Sequence, residues 1–190
     1  GTKRIIEKNP YQMVEDVDGV GFITADKIAV KMGFDQFSRF RISSAISHVL
    51  QESANRNGHT YLPRGEVVYE VCNLLRMNFD EHGYLVNGII LDNVVQGKVV
   101  IVNQGDMECV FLTKIYENEL GIAKCVTDML KYAKPIDLNV DVDIDQYQES
   151  NGITLHEGQI NAIKNCVSYG VNVITGGPGT GKTTIINCII

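Results

Sequence analysis

A glycine-rich run late in the sequence has the residue types and the spacing of a phosphate-binding loop. It fits the pattern G-x-x-x-x-G-K-[ST] and consists of Gly176, Gly177, Pro178, Gly179, Thr180, Gly181, Lys182, Thr183 and Thr184. Glycines let backbone N–H groups wrap phosphate oxygens, and a following helix adds its positive N-terminal end. The spacing predicts that Lys182 lies across the β- and γ-phosphates of ATP and that the Thr183 hydroxyl binds Mg²⁺, so these two residues are the catalytic candidates.

The residues before this loop predict the strand and the helix that would position it. Val171–Thr175 is an apolar run typical of a buried strand. Upstream, Thr154 and Glu157 match a reciprocal capping box, which predicts a helix from Leu155 to Ser168. Gln159 lies on its first turns, where an amide could both donate to and accept from an adenine edge. The alternative for Gln159 is an ordinary solvent-facing helix residue.

A second phosphate-binding candidate lies near the start of the chain. Gly19, Val20 and Gly21 form a glycine–apolar–glycine turn between two short helical patterns. Such a turn resembles a helix-hairpin-helix motif, which presents backbone N–H groups to a nucleic-acid phosphate. Lys27 and Lys31 follow on the second helix and could supply charge nearby. This arrangement predicts contacts to the backbone of DNA, without base specificity.

Thr24 is predicted to cap the second helix of this hairpin, and it joins the turn and the two lysines as a candidate DNA contact. The alternative is a plain interhelical turn in which Val20 is an apolar plug. The carboxylates of Asp16, Asp18 and Asp26 favour that alternative, because they would repel phosphate.

In the N-terminal third, the apolar spacing and the turn residues predict helices. Asn9-Pro10 predicts a helix start, and Gly33 predicts the end of the second helix. The longest predicted helix spans residues 38–57, because its apolar residues keep a spacing of three and four. Gly58–Pro63 is predicted to be a connector, and valines and leucines between residues 67 and 75 predict a further helix.

The middle of the chain changes to a strand pattern. Residues 98–102 and 107–112 are β-prone runs joined by Asn103-Gln104-Gly105-Asp106, which is typical of a hairpin. The order of helix and then hairpin suggests a winged-helix-like module, and a helix is predicted over residues 113–133, closed by Pro135. The acidic stretch that follows is interpreted as a solvated linker or a short helix. It lacks the glycine and glutamate of a calcium loop.

Composition excludes several other classes of protein. The 190 residues hold 17 Lys+Arg and 23 Asp+Glu, for a net charge of −6. Residues 1–65 are the only third with an excess of basic side chains, which leaves room for a local phosphate-binding surface. No apolar run is long enough for a membrane span or a secretory signal, and the five scattered cysteines suggest reduced thiols in core positions of a soluble, cytoplasmic protein.

Taken together, these residues resemble the N-terminal region of the RecD-like family of bacterial ATP-dependent DNA helicases. The resemblance is carried in order by the hairpin at residues 19–29, the connector, Gly152–Leu155, Gln159 and the loop 176–184. It implies a superfamily-one motor that uses ATP and Mg²⁺ to move 5′ to 3′ on single-stranded DNA and to unwind duplex. It also implies that Gln159 reads adenine, and that the protein acts on single-stranded or forked DNA in repair or recombination.

The resemblance implies a mainly α N-terminal region followed by the truncated start of an α/β, RecA-like P-loop domain. We expect a helix-hairpin-helix region over residues 1–64, a winged-helix-like region over 65–135, an acidic linker over 136–152 and the start of the ATPase domain over 153–190. The downstream acidic and arginine motifs of the family lie beyond Ile190. We therefore expect this fragment to be inactive by itself. We also expect the residues after about Thr154 to pack atypically, to pair with another copy, or to bind nucleotide weakly or not at all.

Two other functions remain open at this point. The chain could be a docking module for DNA or protein in which the P-loop is passive. It could also belong to a different class of P-loop protein, such as a small-molecule kinase or a recombinase-type ATPase. The hairpin discriminates between them, because a kinase has no use for a helix-hairpin-helix before its phosphate loop.

Overall fold

The computed structural model describes residues 9–17, 19–134 and 139–190 of the chain. The predictions that involve Asp18 and Pro135 lie outside the described residues, as do the start of the chain and part of the acidic stretch. The chain divides into two compact units, Gly1–Glu119 and Leu120–Ile190.

The first unit opens with short helices, as the sequence predicts. A 3-10 turn, Pro10–Gln12, leads into α1, Met13–Asp16, and then into α2, Phe22–Lys31, and α3, Arg39–Asn57. The cap at Asn9 is confirmed, because its side chain accepts a hydrogen bond from the backbone N–H of Tyr11 at 3.1 Å.

For α2, the predicted N-terminal cap is wrong and the predicted C-terminal end is confirmed. Thr24 is not the cap: the helix begins at Phe22 after Gly21, without a side-chain cap, because the glycine turn already directs the chain into the helix. The end at Gly33 is confirmed. Gly33 has a φ of +79°, and its N–H donates to the carbonyl oxygen of Val30 at 3.1 Å, which closes the last turn.

The rest of the first unit has the topology of a winged helix. After α3 come β1, Tyr61–Pro63, then α4, Arg64–Leu75, α5, Phe79–Val95, β2, Val99–Gln104, and β3, Met107–Leu112. The strands form an antiparallel sheet in the order β1-β3-β2. The predicted hairpin and the helical N-terminal class are therefore confirmed, and residues on both sides of position 64 share one apolar core.

Two elements of this unit were not predicted from the sequence. The connector Gly58–Pro63 contains β1, which is held by pairing of Leu62 with Val110 in β3. A three-residue strand has no periodicity to recognise, so only its distant partner defines it. In α5, Gly83 and Gly88 and a nearly continuous apolar stretch hide the helical spacing, although Asn78 caps the helix.

The second unit is built from α7, Asp141–Asn151, α8, Glu157–Ser168, and α9, Lys182–Ile189, while α6, Thr113–Tyr132, begins in the first unit. The acidic stretch thus contains a short helix, one of the two outcomes considered for it. A small core joins α7, α8 and α9 through Ile144, Leu155, Ile163 and Ile185.

Two predictions in the second unit are wrong. The cap of α8 is His156, whose Nδ1 accepts from the N–H of Gly158 at 3.2 Å, so the helix begins two residues later than the Thr154–Glu157 box indicated. Val171–Thr175 is not a strand, and Val173 is 88% exposed. A strand needs a hydrogen-bonding neighbour, and the described residues hold no sheet other than that of the first unit.

The cysteines follow the expectation of core positions only in part. Cys72 and Cys109 are buried, Cys166 and Cys188 are half-buried, and Cys125 is exposed on α6, so the expectation is wrong for Cys125. Among the described residues, no helix is both long enough and apolar enough to cross a bilayer.

A partly buried ion pair fixes α2 to α3. The carboxylate of Asp26 accepts from Arg41 Nε at 2.8 Å and Nη2 at 2.9 Å, and from the hydroxyl of Tyr11 at 2.7 Å. Burial alone would raise the pKa of Asp26, but hydrogen bonds from Arg41 and Tyr11 outweigh it and lower that pKa. Burial and the neighbouring Asp26 raise the pKa of Tyr11, so the phenol stays protonated as the donor.

Replacement of Asp26 by Asn should lower the free energy of unfolding by about 3 kcal/mol, because it leaves the guanidinium of Arg41 buried without its counter-charge. Urea denaturation followed by circular dichroism measures the change. The matched control is Glu52→Gln, which removes an exposed partner of Arg56 and should cost less than about 0.5 kcal/mol. Equal costs for the two variants would contradict a structural role for the Asp26 pair.

The same pair gives stability a defined pH dependence. The pKa of Asp26 is lower in the folded state, so its contribution is complete above the unfolded value of about 3.9 and is lost as pH falls through the folded value. The stability gap between the wild type and Asp26→Asn should therefore shrink below about pH 4. A gap that stays constant on acidification would contradict this assignment.

Candidate nucleotide and nucleic-acid sites

The predicted phosphate loop lies directly before α9. Gly179 and Gly181 have φ values of +77° and +78°, a backbone region that glycine adopts without strain. Gly181 also lies against the Gln159 side chain, so a Cβ there would overlap the amide. The glycines at these two positions are therefore required by the shape of the loop.

Lys182, the first residue of α9, holds the loop together through its ammonium group. Its Nζ donates to the carbonyl oxygens of Gly176 and Gly177, both at 2.7 Å. The hydroxyl of Thr180 donates to Gly177 as well, at 2.9 Å. The ammonium group and the N-terminus of an eight-residue helix thus meet at one loop, which is an arrangement suited to phosphate.

Two threonine hydroxyls follow Lys182 in the first turn of α9. Thr183 is exposed and Thr184 is half-buried, while Ile185 anchors α9 in the small core. Thr183 fits the predicted role of a Mg²⁺ ligand in residue type and exposure, because its hydroxyl lies in the first turn beside Lys182. Among the described residues no cluster of His, Cys, Asp and Glu could hold a metal ion by itself.

Gln159 connects α8 to the loop. Its Oε1 accepts from the N–H of His156 at 2.8 Å, and its Nε2 donates to the carbonyl oxygen of Thr180 at 3.2 Å. Both ends of the amide are thus used within the chain. Adenine contact by Gln159 stays a prediction. Each end of the amide makes one of these bonds, so its second N–H and the second lone pair of its oxygen could serve such a contact.

A cavity of about 620 Å³ lies beside this connection. Its walls include the amides of Asn161, Asn165 and Asn172, together with Gln159 and Lys182. The volume falls within the range of small-molecule sites, about 300–1,000 Å³. The loop and a polar cavity of nucleotide size therefore share one unit of the chain.

The glycine turn at residues 19–21 leads directly into α2. Gly19 has a φ of +83°, so a side chain there would be strained. Val20 is half-buried against the core, and its N–H donates to the carbonyl oxygen of Val17 at 3.2 Å. Val20 is therefore the apolar plug considered above, and its N–H is already used within the turn.

Gly21 has a different role from Gly19. Its φ of −84° is available to any residue, and a Cβ there would meet nothing within 4 Å. The carbonyl oxygen of Gly21 accepts from the N–H groups of Thr24 and Ala25, both at 3.1 Å. The N–H groups of Phe22 and Ile23 precede these bonds, as the first donors of any helix do, and the absence of a side chain at Gly21 leaves room in front of them.

The predicted basic residues share a face of α2. Thr24, Lys27 and Lys31 are exposed and are spaced by three and four residues, which places them on one side of the helix. Asp26 is directed to Arg41 instead, so its charge is neutralised inside the molecule. The argument that Asp26 would repel phosphate is therefore wrong, and the structure brings Gly21, Thr24 and the two lysines together.

The winged-helix side of this unit carries the opposite charge. The sequence of α5 contains Asp80, Glu81 and Asp92 but no Lys or Arg, and the turn between β2 and β3 carries Asp106. Asp92 is paired with Arg39, and Glu108 in β3 is paired with Arg64. The lysines of α2 therefore favour phosphate more than the start of α5 and the β2–β3 turn do.

Comparisons with known proteins match the start and the end of the chain separately. A family model described as the ATP-dependent RecD2 DNA helicase HHH domain matches residues 1–61, and a model of an AAA domain matches residues 159–190. The chain is 24% identical over 192 residues to the ATP-dependent RecD2 DNA helicase of Deinococcus radiodurans, an alignment that covers 97% of this chain and 26% of that protein.

This chain is similar to the N-terminal region of RecD-like helicases. An uncharacterized protein of Methanocaldococcus jannaschii is 25% identical over 224 residues, which cover 97% of this chain and 18% of that protein. The chain thus spans about a quarter or less of the length of these curated relatives. The RecD-like resemblance confirms the helical N-terminal region and the P-loop start that follows it.

Sequence reasoning missed the residues that link distant elements. Arg41 binds Asp26 across fifteen positions, and Ser43 binds Asn93 across fifty. Neither pair has a local spacing signal. An inward-facing polar residue on the otherwise apolar stripe of α3 was the one available hint.

Replacement of Gln159 by Ala should loosen the phosphate loop, because it removes the bonds to His156 and Thr180. Amide hydrogen exchange measured by mass spectrometry should show faster exchange over residues 176–184 and at the start of α8, with exchange in the first unit unchanged. Asn161→Ala, an exposed amide of the same helix, is the matched control and should leave the loop unchanged. Equal exchange in both variants would contradict the connection.

Proposed function

We propose that this chain forms the N-terminal part of an ATP-dependent DNA helicase that moves 5′ to 3′ on single-stranded DNA. The observation that carries the proposal is the presence, in one chain, of a hairpin with a basic helix face and of a complete phosphate loop. The similarity to a RecD2 helicase over 97% of the chain supports it. Such a protein would act in the cytoplasm, in DNA repair or recombination.

In this proposal the hairpin contacts the DNA backbone. The N–H groups at the start of α2 bind a phosphate oxygen, and Lys27 and Lys31 neutralise the next phosphates along the strand. The sugar and the bases take no part in these contacts, so binding is independent of sequence. The strand is single, or the single-stranded arm of a fork.

The phosphate loop binds ATP in the second unit. Lys182 exchanges its carbonyl partners for the β- and γ-phosphates, and the Thr183 hydroxyl is the residue that would hold Mg²⁺, which neutralises charge on the phosphates when it is bound. Gln159 orients the loop and faces the cavity, where it would accept or donate at the adenine edge.

A protein-docking role is a second candidate, favoured by a specific surface. The acidic helix α5 exposes Tyr84, Leu91 and Val95, which are 71%, 49% and 89% accessible. Apolar side chains among carboxylates suit a protein partner better than they suit DNA. This candidate uses side chains of α5, whereas the helicase proposal uses the glycine turn and α2.

Substitution of Lys27 and Lys31 by Ala should weaken binding to single-stranded DNA and flatten its salt dependence. Each phosphate contact contributes about 0.7 to the slope of log affinity against log salt, so the double variant should lower the slope by about 1.4. Fluorescence anisotropy at several salt concentrations measures both quantities. The control Lys114→Ala/Lys124→Ala makes the same change in net charge on α6 instead of α2 and should keep the slope.

Gly21→Ala tests the start of α2 without disturbing the fold, because a Cβ at this position meets nothing in the protein. The variant should unfold at the wild-type denaturant concentration but lose DNA affinity. Unchanged affinity in both Gly21→Ala and the lysine variant would refute DNA binding by the hairpin and favour the docking role.

Replacement of Lys182 by Ala should abolish nucleotide binding. Wild-type chain should show weak, Mg²⁺-dependent binding of a fluorescent ATP analogue, and the variant should show none, because the charge opposite the phosphates is lost. Binding that persists in Lys182→Ala would contradict the assignment of this loop.

A further inference from the structure

A large cleft opens beside the hairpin, within the first unit. It encloses about 1210 Å³ and lies between the glycine turn, α3 and the end of α5. Gly19, Val20 and Gly21 form part of its wall, so it adjoins the proposed phosphate contact. Its volume exceeds that of most small-molecule sites, about 300–1,000 Å³.

The wall formed by α3 includes several small, polar side chains. Ser43, Ser44, Ser47 and Gln51 recur along one side of the helix and line the cleft. These three serines are small and leave space in front of the helix. The hydroxyls of Ser43 and Ser47 already donate, to Asn93 and to the carbonyl oxygen of Ser43, so their oxygens can accept, while Ser44 can donate or accept. This wall can therefore match a flat ligand that carries carbonyl oxygens and N–H groups.

Asn93 supplies a buried donor at the same wall. It is 0% exposed, and its Oδ1 accepts from the Ser43 hydroxyl at 2.7 Å. Its Nδ2 has no hydrogen-bond partner among the described residues, although Asn93 lines the cleft. A buried amide donor without an acceptor is unfavourable, so a ligand with an acceptor oxygen or nitrogen in the cleft would be stabilised.

Aromatic rings complete the site. Phe40 lines the cleft with 53% of its surface exposed, so its ring is available for stacking. His48 also lines the cleft and is stacked on Phe22, with ring centroids 5.3 Å apart. Burial lowers the pKa of His48, so near neutral pH its ring is an uncharged hydrogen-bonding group.

Few charged side chains line the cleft. Arg39 pairs with Asp92, and both line the cleft together with Lys98. A free nucleoside triphosphate needs several positive groups. A nucleotide within a strand needs few here, because the hairpin and α2 already supply its phosphate contacts.

We propose that this cleft binds an unpaired base of the same DNA strand whose phosphate the hairpin contacts. The base stacks on Phe40 and accepts a hydrogen bond from Asn93, with the serines of α3 at its edge. The inference rests on the proposed DNA binding and adds to it that the strand must be single at this point. The first unit then distinguishes unpaired from paired DNA.

The test compares an oligothymidylate with an abasic oligomer of the same length and charge, using the whole chain. The oligothymidylate should bind about fivefold more tightly or better, since stacking of one base accounts for at least that factor. Phe40→Ala should remove this preference and leave abasic binding unchanged. Tyr69→Ala, an aromatic residue outside the cleft with 52% exposure, is the matched control and should keep the preference.

A spectroscopic readout makes the result independent of affinity. A 2-aminopurine base in the oligomer should change its fluorescence on binding to wild type and Tyr69→Ala, but not to Phe40→Ala. Equal, salt-sensitive binding of both oligomers would overturn the cleft and leave the hairpin contact intact. Failure of both oligomers to bind would overturn the proposed DNA binding itself, and tighter binding of free thymidine monophosphate than of the oligomer would overturn the assignment to a strand.

Discussion

The arrangement of the first unit depends on the ion pair between Asp26 and Arg41. This pair and the hydroxyl of Tyr11 join the start of the chain, α2 and α3 at one carboxylate. Because the carboxylate of Asp26 is paired with Arg41, it does not neutralise the charge of Lys27 and Lys31 on the exposed face of α2. Tyr11 and α3, which this contact joins, both contribute side chains to the wall of the cleft.

The two units show how far local sequence determines structure. The phosphate loop, α3 and the β2–β3 hairpin were predictable, because glycine spacing, apolar periodicity and turn residues are local signals. The strand at Val171–Thr175 was not, since a strand is defined by its neighbour, and the described residues provide none there. The cap of α8 shifted to His156 because Gln159 serves both the cap and the loop.

The candidate sites divide in the same way. Lys182 and Thr183 follow from a motif whose spacing is chemically determined, and the structure places them at a helix start as expected. The cleft depends on Ser43, Asn93 and Phe40, which come together only through the packing of α3 on α5. Phe40 and Ser43 lie three residues apart on α3, but no spacing in the sequence connects either of them with Asn93. A search for motifs therefore finds the phosphate contacts and misses the surface that would receive a base.

The pairing of β1 with β3 has a consequence for the order in which the first unit is made. Leu62 in β1 is paired with Val110, about 48 residues further along the chain, whereas β2 and β3 are joined by a tight turn. During synthesis, β1 leaves the ribosome well before β3 has been made. It therefore stays unpaired while α4, α5 and the β2–β3 hairpin form. Closing a loop of this length costs conformational entropy. Pairing of a three-residue strand contributes too little stability to offset that cost until the core is assembled. The sheet is therefore expected to close last, after the helices have already packed.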